Sequence, residues 1–506
     1  MATPIYSLIC ISITPEGLLP DNFSLPRESE EDGIGWAAGA MDGVSLYHTA
    51  PYALTDDQRE LMERAVTAAA AEDFITADAL FLELAKQVRA ISFAGELQSY
   101  VMDHSDSLDA EHMFQTAVNL VTKSAYTECV KTGLALLVLF GGVEEEVKDA
   151  VRRLALYEEF TFFALMNMCD WDNAPEEIFS IAKKVTGWGR IHAVDMLEPE
   201  TDEMRHWLLT EGSVNNVMAS YSSFTCWEKS GAEDLLFSDP TYDEYEGISF
   251  IIEGLLDEGP VRGISKLKDP EKVLLRFLEI SENYSLSADD YDVILNVKKW
   301  ASSREEPMAS VSSECDRILS SSECAAAINK AVKEGKGLAL AKELGIPLFD
   351  ELLECLRDDF GHNYFQCRYL MENDDYVEDT LNVFRDNLPL SEMTGEPLEG
   401  MCLGAEFEDY DRLQFIIQEL DARPMTGADI IETGIGSRVT RNRYRAAKVL
   451  KSWVTRTRKP LSLISFRLHT AVAEAAKKEI DEDIRKTFEL LLKGRTSFDE
   501  YAAARP

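Results

Sequence analysis

The helical spacing of apolar residues is the feature that most constrains this chain. From Thr55 onward they recur three and four residues apart, as in Phe74, Ala77, Leu80, Phe81, Leu84 and Val88. This spacing puts them on one helix face, which a neighbouring element must bury. Helix starts rich in Pro and acidic residues recur roughly every 20–25 residues along the chain. Two helices therefore occupy about 40–50 residues, which is the length of a HEAT or armadillo repeat. The sequence predicts an all-α, HEAT/armadillo-like α-solenoid of helical hairpins.

One motif in the chain occurs twice. The stretch Trp188–Leu197, Trp-Gly-Arg-Ile-His-Ala-Val-Asp-Met-Leu, returns in altered form as Arg443–Leu450. Arg190 aligns with Arg443, and an Ala and a Leu follow each Arg at matching positions. An Ala at this spacing suits a helix that packs closely against a neighbour. We therefore predict that both stretches are equivalent packing helices.

The N-terminal residues 1–52 have a different composition. The segments 5–13, 34–38 and 43–48 are rich in β-branched and aromatic residues and are separated by Pro, Gly and Asn. These features predict three short strands. A small antiparallel β-sheet here would cap the helical stack and cover its terminal apolar face.

The remaining chain divides by composition. Residues 53–302 are predicted to form a helical-repeat domain. The Ser-rich segment 303–323 is predicted to be either a flexible linker or a long loop between repeats. Residues 324–506 are predicted to form a second helical-repeat region, which contains a basic strip at 438–459.

Charge and cysteine usage limit the possible partners. Fifty Lys and Arg residues against 91 Asp and Glu give a net charge of −41, which disfavours nucleic acid and anionic membranes. Nine cysteines are dispersed without a Cys-x-x-Cys pair, so we expect free, mostly buried thiols. With neither a basic leader nor a long apolar run, we expect a cytoplasmic protein that binds a protein partner. These features do not specify an oligomeric state.

The first candidate site surrounds the Trp188–Leu197 motif. Its polar and aromatic residues are Trp188, Arg190, His192, Asp195, Arg205 and His206. In one interpretation His192 acts as an acid–base group and Arg190 holds a carboxylate or phosphate. In the other, Arg190 binds carbonyl groups or an acid of the adjacent repeat. Asp202 and His206, four residues apart, are predicted to share a helix face and pair.

The second candidate site is the basic strip. It provides Arg441, Arg443, Arg445 and Lys448 for binding an anion or an acidic partner. These cations could equally neutralise acidic neighbours within the same molecule. The strip alone does not decide between these two interpretations.

Four stretches of the chain resemble a little-characterised bacterial group of helical-repeat proteins. They are Trp188–Thr201, which carries Trp-Gly-Arg-Ile-His-Ala-Val-x-x-Leu-Glu-Pro-x-Thr, Trp207–Gly212, Leu19–Pro26 and Ala38–Gly43. Members of this group are often labelled limonene hydroxylase. The resemblance implies a monooxygenase that acts on a monoterpene.

Cofactor signatures bear on that implication. Hydroxylation of an unactivated carbon by O₂ requires haem, flavin or non-haem iron. The sequence has no recognisable haem-thiolate loop or flavin fingerprint, and its seven histidines are dispersed. We therefore predict no cofactor and no metal site. Our leading hypothesis is a non-enzymatic scaffold; the alternatives are the monooxygenase or another enzyme centred on Arg190 and His192.

Overall fold

The computed structural model describes residues 3–26, 36–50, 52–400 and 402–495. The chain divides into two compact units, Met1–Leu319 and Ser320–Pro506. Within the described residues both units are helical, and the only β pairing is a single antiparallel bridge between Thr394 and Ser437. The all-α prediction is confirmed.

The first unit contains helices α1 to α18. Their bounds are α1 (Ile5–Ser12), α2 (Ala40–His48), α3 (Asp56–Ala70), α4 (Phe74–Ala85), α5 (Ala90–Asp103), α6 (Ala110–Lys123), α7 (Thr127–Leu137), α8 (Glu145–Ala155), α9 (Glu158–Met168), α10 (Ala174–Ala182), α11 (Gly187–Met196), α12 (Asp202–Thr210), α13 (Ser220–Ser230), α14 (Ala232–Leu236), α15 (Tyr242–Leu256), α16 (Pro270–Ser281), α17 (Ala288–Ser302) and α18 (Ala309–Leu319). A 3₁₀ turn lies at Ile264–Lys266.

The second unit contains helices α19 to α30. Their bounds are α19 (Ser322–Lys333), α20 (Leu338–Glu343), α21 (Phe349–Asp358), α22 (Phe360–Asn363), α23 (Cys367–Leu370), α24 (Asp374–Asn387), α25 (Glu408–Glu419), α26 (Ala428–Ile435), α27 (Thr440–Thr457), α28 (Leu461–Ile464), α29 (Phe466–Lys478) and α30 (Glu482–Leu492). Further 3₁₀ turns lie at Tyr364–Gln366 and Ala405–Phe407.

The predicted N-terminal sheet is wrong. Residues 5–12 form α1, in which Ile5 and Ile9 lie one helical turn apart and are buried where the helix packs on α6 and α8. Residues 40–48, which include the predicted third strand, form α2. Of the predicted strand at 34–38, residues 34 and 35 lie outside the described residues, and 36–38 are not extended into a strand. Tertiary packing outweighs the strand preference of these segments.

Polar caps begin several helices where the sequence indicates. Thr55 caps α3 in a reciprocal box with Gln58, and Thr201 caps α12. Pro175 lies in the first turn of α10, where its missing N–H removes no helical hydrogen bond. Such a cap is worth about 1 kcal/mol, so these residues fix where each helix begins. The segment 303–323 holds α18, and the boundary between the units follows at Leu319.

A row of alternate helices organises the first unit. Each of α5, α7, α9, α11, α13, α15 and α17 packs against the next member of this series. The helices between them form a second layer, in which α6 packs on α7, α8 on α9, α10 on α11 and α12 on α13. We refer to the first series as the central row. It positions the residues of the Trp188–Leu197 motif.

The second unit is built around α27, which packs against α25, α26 and α30. Trp453 on this helix is fully buried, and its indole N–H donates to the carbonyl of Leu420 at 2.8 Å.

All nine cysteines of the chain are free thiols, and five of them are buried. Within the described residues, no helix is both long enough and apolar enough to cross a membrane.

Candidate functional site

The Trp188–Leu197 motif forms α11, in the middle of the central row. Gly187 begins this helix with a φ of +53°, and a Cβ there would lie 2.1 Å from the Glu158 carboxylate. Glycine therefore permits both the left-handed backbone and the close approach of α9. Trp188 and His192 lie on successive turns of α11 and are both buried.

Arg190 makes structural contacts. Its Nε donates to the carbonyl of Val185 at 2.9 Å, and one terminal nitrogen donates to the carbonyl of Val214 at 2.8 Å. Its guanidinium lies 5.6 Å from the ring centre of Trp207. These are the carbonyl contacts that the packing interpretation predicts, and they hold the turn before α13 to the start of α11.

His192 lies in an aromatic cluster, which we define as Tyr47, Phe162, Trp188, His192 and Tyr221. Only 3% of His192 is exposed, and its ring centre lies 5.1 Å from that of Phe162. Among the described residues, its Nε2 has no hydrogen-bond partner. Burial lowers the pKa of His192 to about 4, so the imidazole is neutral at pH 7.

Asp195 receives hydrogen bonds from two other helices. Its carboxylate accepts from the hydroxyl of Tyr47 on α2 and from Thr225 Oγ1 on α13, the latter at 2.8 Å. Burial, together with the Asp195 charge, raises the pKa of the Tyr47 hydroxyl well above its usual value. Asp195 therefore ties the N-terminal segment to the central row.

The other predicted residues lie apart from this cluster. Arg205 donates to Asp202 at 2.8 Å and to the carbonyl of Pro199 at 3.0 Å. His206 is exposed and lies 3.3 Å from Asp243 on α15. The predicted pairing of Asp202 with His206 is wrong, because each residue has another partner nearer to it.

A buried ion cluster adjoins the aromatic cluster, and the sequence analysis missed it. The Nζ of fully buried Lys131 lies 2.7 Å from Asp42, 2.5 Å from Glu159 and 3.2 Å from Glu128. Burial alone would lower the pKa of Lys131, but the three carboxylates raise it above its usual value. Burial raises the pKa of Asp42 to about 6 despite the nearby lysine. The sequence feature that could have indicated this cluster is Lys131, a single lysine at the start of an apolar stretch.

Two of the stretches that carry the family resemblance meet here. The stretch Ala38–Gly43 enters α2, where a Cβ on Gly43 would lie 2.2 Å from the Trp188 ring. The backbone N–H of Gly39 donates to Glu159 at 2.7 Å, and His48 contacts the Tyr221 hydroxyl. Glycine at position 43 is therefore required for α2 to lie flat against Trp188.

The basic strip of α27 is partly neutralised within the second unit. Arg443 is buried and contacts Glu479 through two nitrogens, at 2.8 and 3.0 Å. Arg441 lies 2.6 Å from Asp411. Arg445 is partly exposed and Lys448 is exposed, so these two remain on the surface.

Arg443 and Arg190 occupy equivalent positions in the two motifs. Each donates to the carbonyl five residues before it, Arg438 for the former and Val185 for the latter. The repeated sequence thus corresponds to a repeated local structure, in which an arginine closes the turn that enters its helix.

A groove of about 390 Å³ lies further along the first unit, where α12, α15 and α17 meet. Its apolar lining includes Val214, Phe250 and Val293. Its acidic lining is Glu211, Asp243, Glu246, Glu253, Asp289 and Asp290. Burial raises the pKa of the Glu253 carboxyl, and the charge of Asp292 raises it further.

The comparisons with known proteins give no match. No protein-family model, curated protein or solved structure matches this chain. Among the described residues there is also no group of three or more His, Cys, Asp or Glu side chains that could hold a metal ion.

Proposed function

We propose that this protein is a helical-repeat scaffold, an α-solenoid that binds a protein partner. The observation that carries the proposal is the central row, in which each helix packs against the next-but-one helix of the chain. Stacked helical pairs of this kind expose long surfaces suited to protein binding. The architecture therefore supports the scaffold hypothesis.

The environment of His192 favours the scaffold over an enzyme centred on Arg190 and His192. A general base must reach a substrate proton, whereas His192 is 3% exposed and enclosed by aromatic rings. Arg190 already donates to two backbone carbonyls. Both side chains are thus engaged in packing the repeats.

We place the partner in the groove between α12, α15 and α17. Five of its six carboxylates are exposed or half-buried and favour a basic segment, and exposed Phe250 and Val214 offer apolar contact. A short segment of the partner with Lys or Arg beside an apolar side chain would fit both features. This chemistry agrees with the net charge of −41.

Affinity capture from the native host tests the proposal. The wild-type chain is compared with the double variant Glu246→Lys, Glu253→Lys and with the control Glu83→Lys, an exposed acid on α4. We expect one partner with a basic segment to be retained by the wild type and control, and to bind the groove variant about tenfold or more weakly. Equal binding by all three would refute the groove assignment.

An absorbance spectrum and a metal analysis of the purified chain test the scaffold against the oxygenase alternative. We expect a spectrum of protein alone and no stoichiometric iron. Haem, flavin or iron bound in stoichiometric amount would refute the scaffold proposal.

A further inference from the structure

Helix α2 lies across the central row. Through the residues at its two ends it contacts α7, α9, α11 and α13, and it also packs against α5. This nine-residue helix and its N-cap residue Gly39 thus contact five members of the row. A surface of this kind is where a helical-repeat protein receives a partner segment.

The docking of α2 combines one aromatic side chain, Tyr47, with several polar contacts. Its buried residues are Ala40, Asp42 and Gly43, which together offer little apolar surface. The contacts that hold it are the half-buried ring of Tyr47, which packs on Trp188, His192 and Tyr221, the Asp42–Lys131 ion pair, and hydrogen bonds to Glu159, Asp195 and Tyr221. Each polar contact replaces hydrogen bonds to water, so it contributes little net free energy. The helix is held less firmly than a helix with a wide apolar face.

Detachment of α2 would leave no isolated charge in the row. Lys131 keeps Glu159 at 2.5 Å and Glu128 at 3.2 Å when Asp42 leaves. Asp42 itself would gain water, which its carboxylate lacks in the docked state. Breaking a buried pair is costly when it strands a charge, and here it does not.

We propose that α2 is a reversible cover on the central row, in equilibrium with a detached state that exposes Trp188 and Tyr221. Covered, these rings pack with Ala40 and Ile191. Uncovered, they form an aromatic surface on α11 and α13. That this cover regulates partner binding rests on the proposed function, whereas the cover itself does not.

Hydrogen exchange measured by mass spectrometry on the full chain tests the cover. In the wild type we expect the amides of Gly43–His48 to exchange about 100-fold faster than those of α7 and α11, because α2 opens while the row stays folded. Equal protection of α2, α7 and α11 would overturn the proposal.

A glycine variant links that exchange to detachment. Gly43→Ala places a methyl group within the Trp188 ring and prevents docking, although Ala favours the helix itself. We expect about tenfold further loss of protection in α2 and faster hydroxyl-radical oxidation of Trp188. The control Gly95→Ala, where a Cβ meets nothing within 4 Å, should change neither.

A milder variant tests the cover even if Gly43→Ala fails to fold. Tyr47→Phe removes only the hydrogen bond to Asp195 and should raise α2 exchange about fivefold, with α11 unchanged. Unaltered Trp188 oxidation in Gly43→Ala, or unaltered α2 exchange in both variants, would refute the cover. These readouts need no partner, so failure of the groove variant in affinity capture is a separate result.

Discussion

The buried imidazole of His192 couples the stability of the first unit to pH, and His192→Leu tests this coupling. Burial lowers the pKa of His192 from 6.5 to about 4. The unfolded chain therefore binds a proton at this residue below about pH 6.5, whereas the folded chain binds it only below about pH 4. Acidification between these values favours the unfolded state. The free energy of unfolding is therefore unaffected by His192 above pH 6.5 and decreases as pH falls toward 4.

The size of the effect follows from the two pKa values. At pH 5 the unfolded side chain is mostly protonated and the folded one is not, which costs about 2 kcal/mol of unfolding free energy. At pH 7 the cost is close to zero. Leucine does not titrate, so the variant should gain about 2 kcal/mol relative to the wild type between pH 7 and pH 5.

Urea unfolding followed by tryptophan fluorescence measures this difference. Of the seven tryptophans only Trp453 lies beyond Leu319, so the signal reports mainly on the first unit. Phe162→Leu, which alters a ring in contact with His192, is the matched control and should change stability equally at both pH values. A His192→Leu effect that is the same at pH 5 and pH 7 would refute the reasoning.

Three further experiments test the charged residues. The raised pKa of Asp42 lets the folded state bind a proton at a higher pH than the unfolded state does, so the wild type gains stability as pH falls from 6 toward 4. Asp42→Asn should remove this gain. The expected loss is about 1 kcal/mol at pH 5, measured by the same urea titration. Arg443→Met should destabilise the second unit by about 3–5 kcal/mol, since it leaves Glu479 buried and unpaired, and adding Glu479→Gln should restore part of this loss in thermal unfolding. On a polyanion resin, Arg445→Gln with Lys448→Gln should lower the salt needed for elution of the full chain, whereas the paired Arg441→Gln should not.

Long amphipathic helices could be predicted from the sequence because one apolar face suffices to define them. The start of α3 at Thr55 and of α10 near Pro175 followed from capping and proline chemistry. The short N-terminal helices could not be predicted this way. In α1 the apolar residues Ile5, Ile9 and their neighbours fit a strand as well as a helix, and only packing on α6 and α8 decides between them.

The candidate site was predicted in part. The recurrence of the motif at Arg443 pointed to a packing role for Arg190, and both arginines donate to the carbonyl five residues before them. Its partners could not be identified, because Tyr47 lies 148 residues before Asp195 and no local spacing relates them. Some partners are also distant in sequence, since His206 lies beside Asp243 on another helix and not beside Asp202.

The position of α2 has a consequence for the order in which the newly made chain matures. Tyr221, which His48 contacts, follows it by 173 residues. At synthesis rates of about 5–20 residues per second, α2 leaves the ribosome roughly 10–30 seconds before its docking surface exists. A segment made among the first therefore waits undocked until residue 221 has been made, and during that interval its own contacting residues are open to chaperones and to other nascent chains.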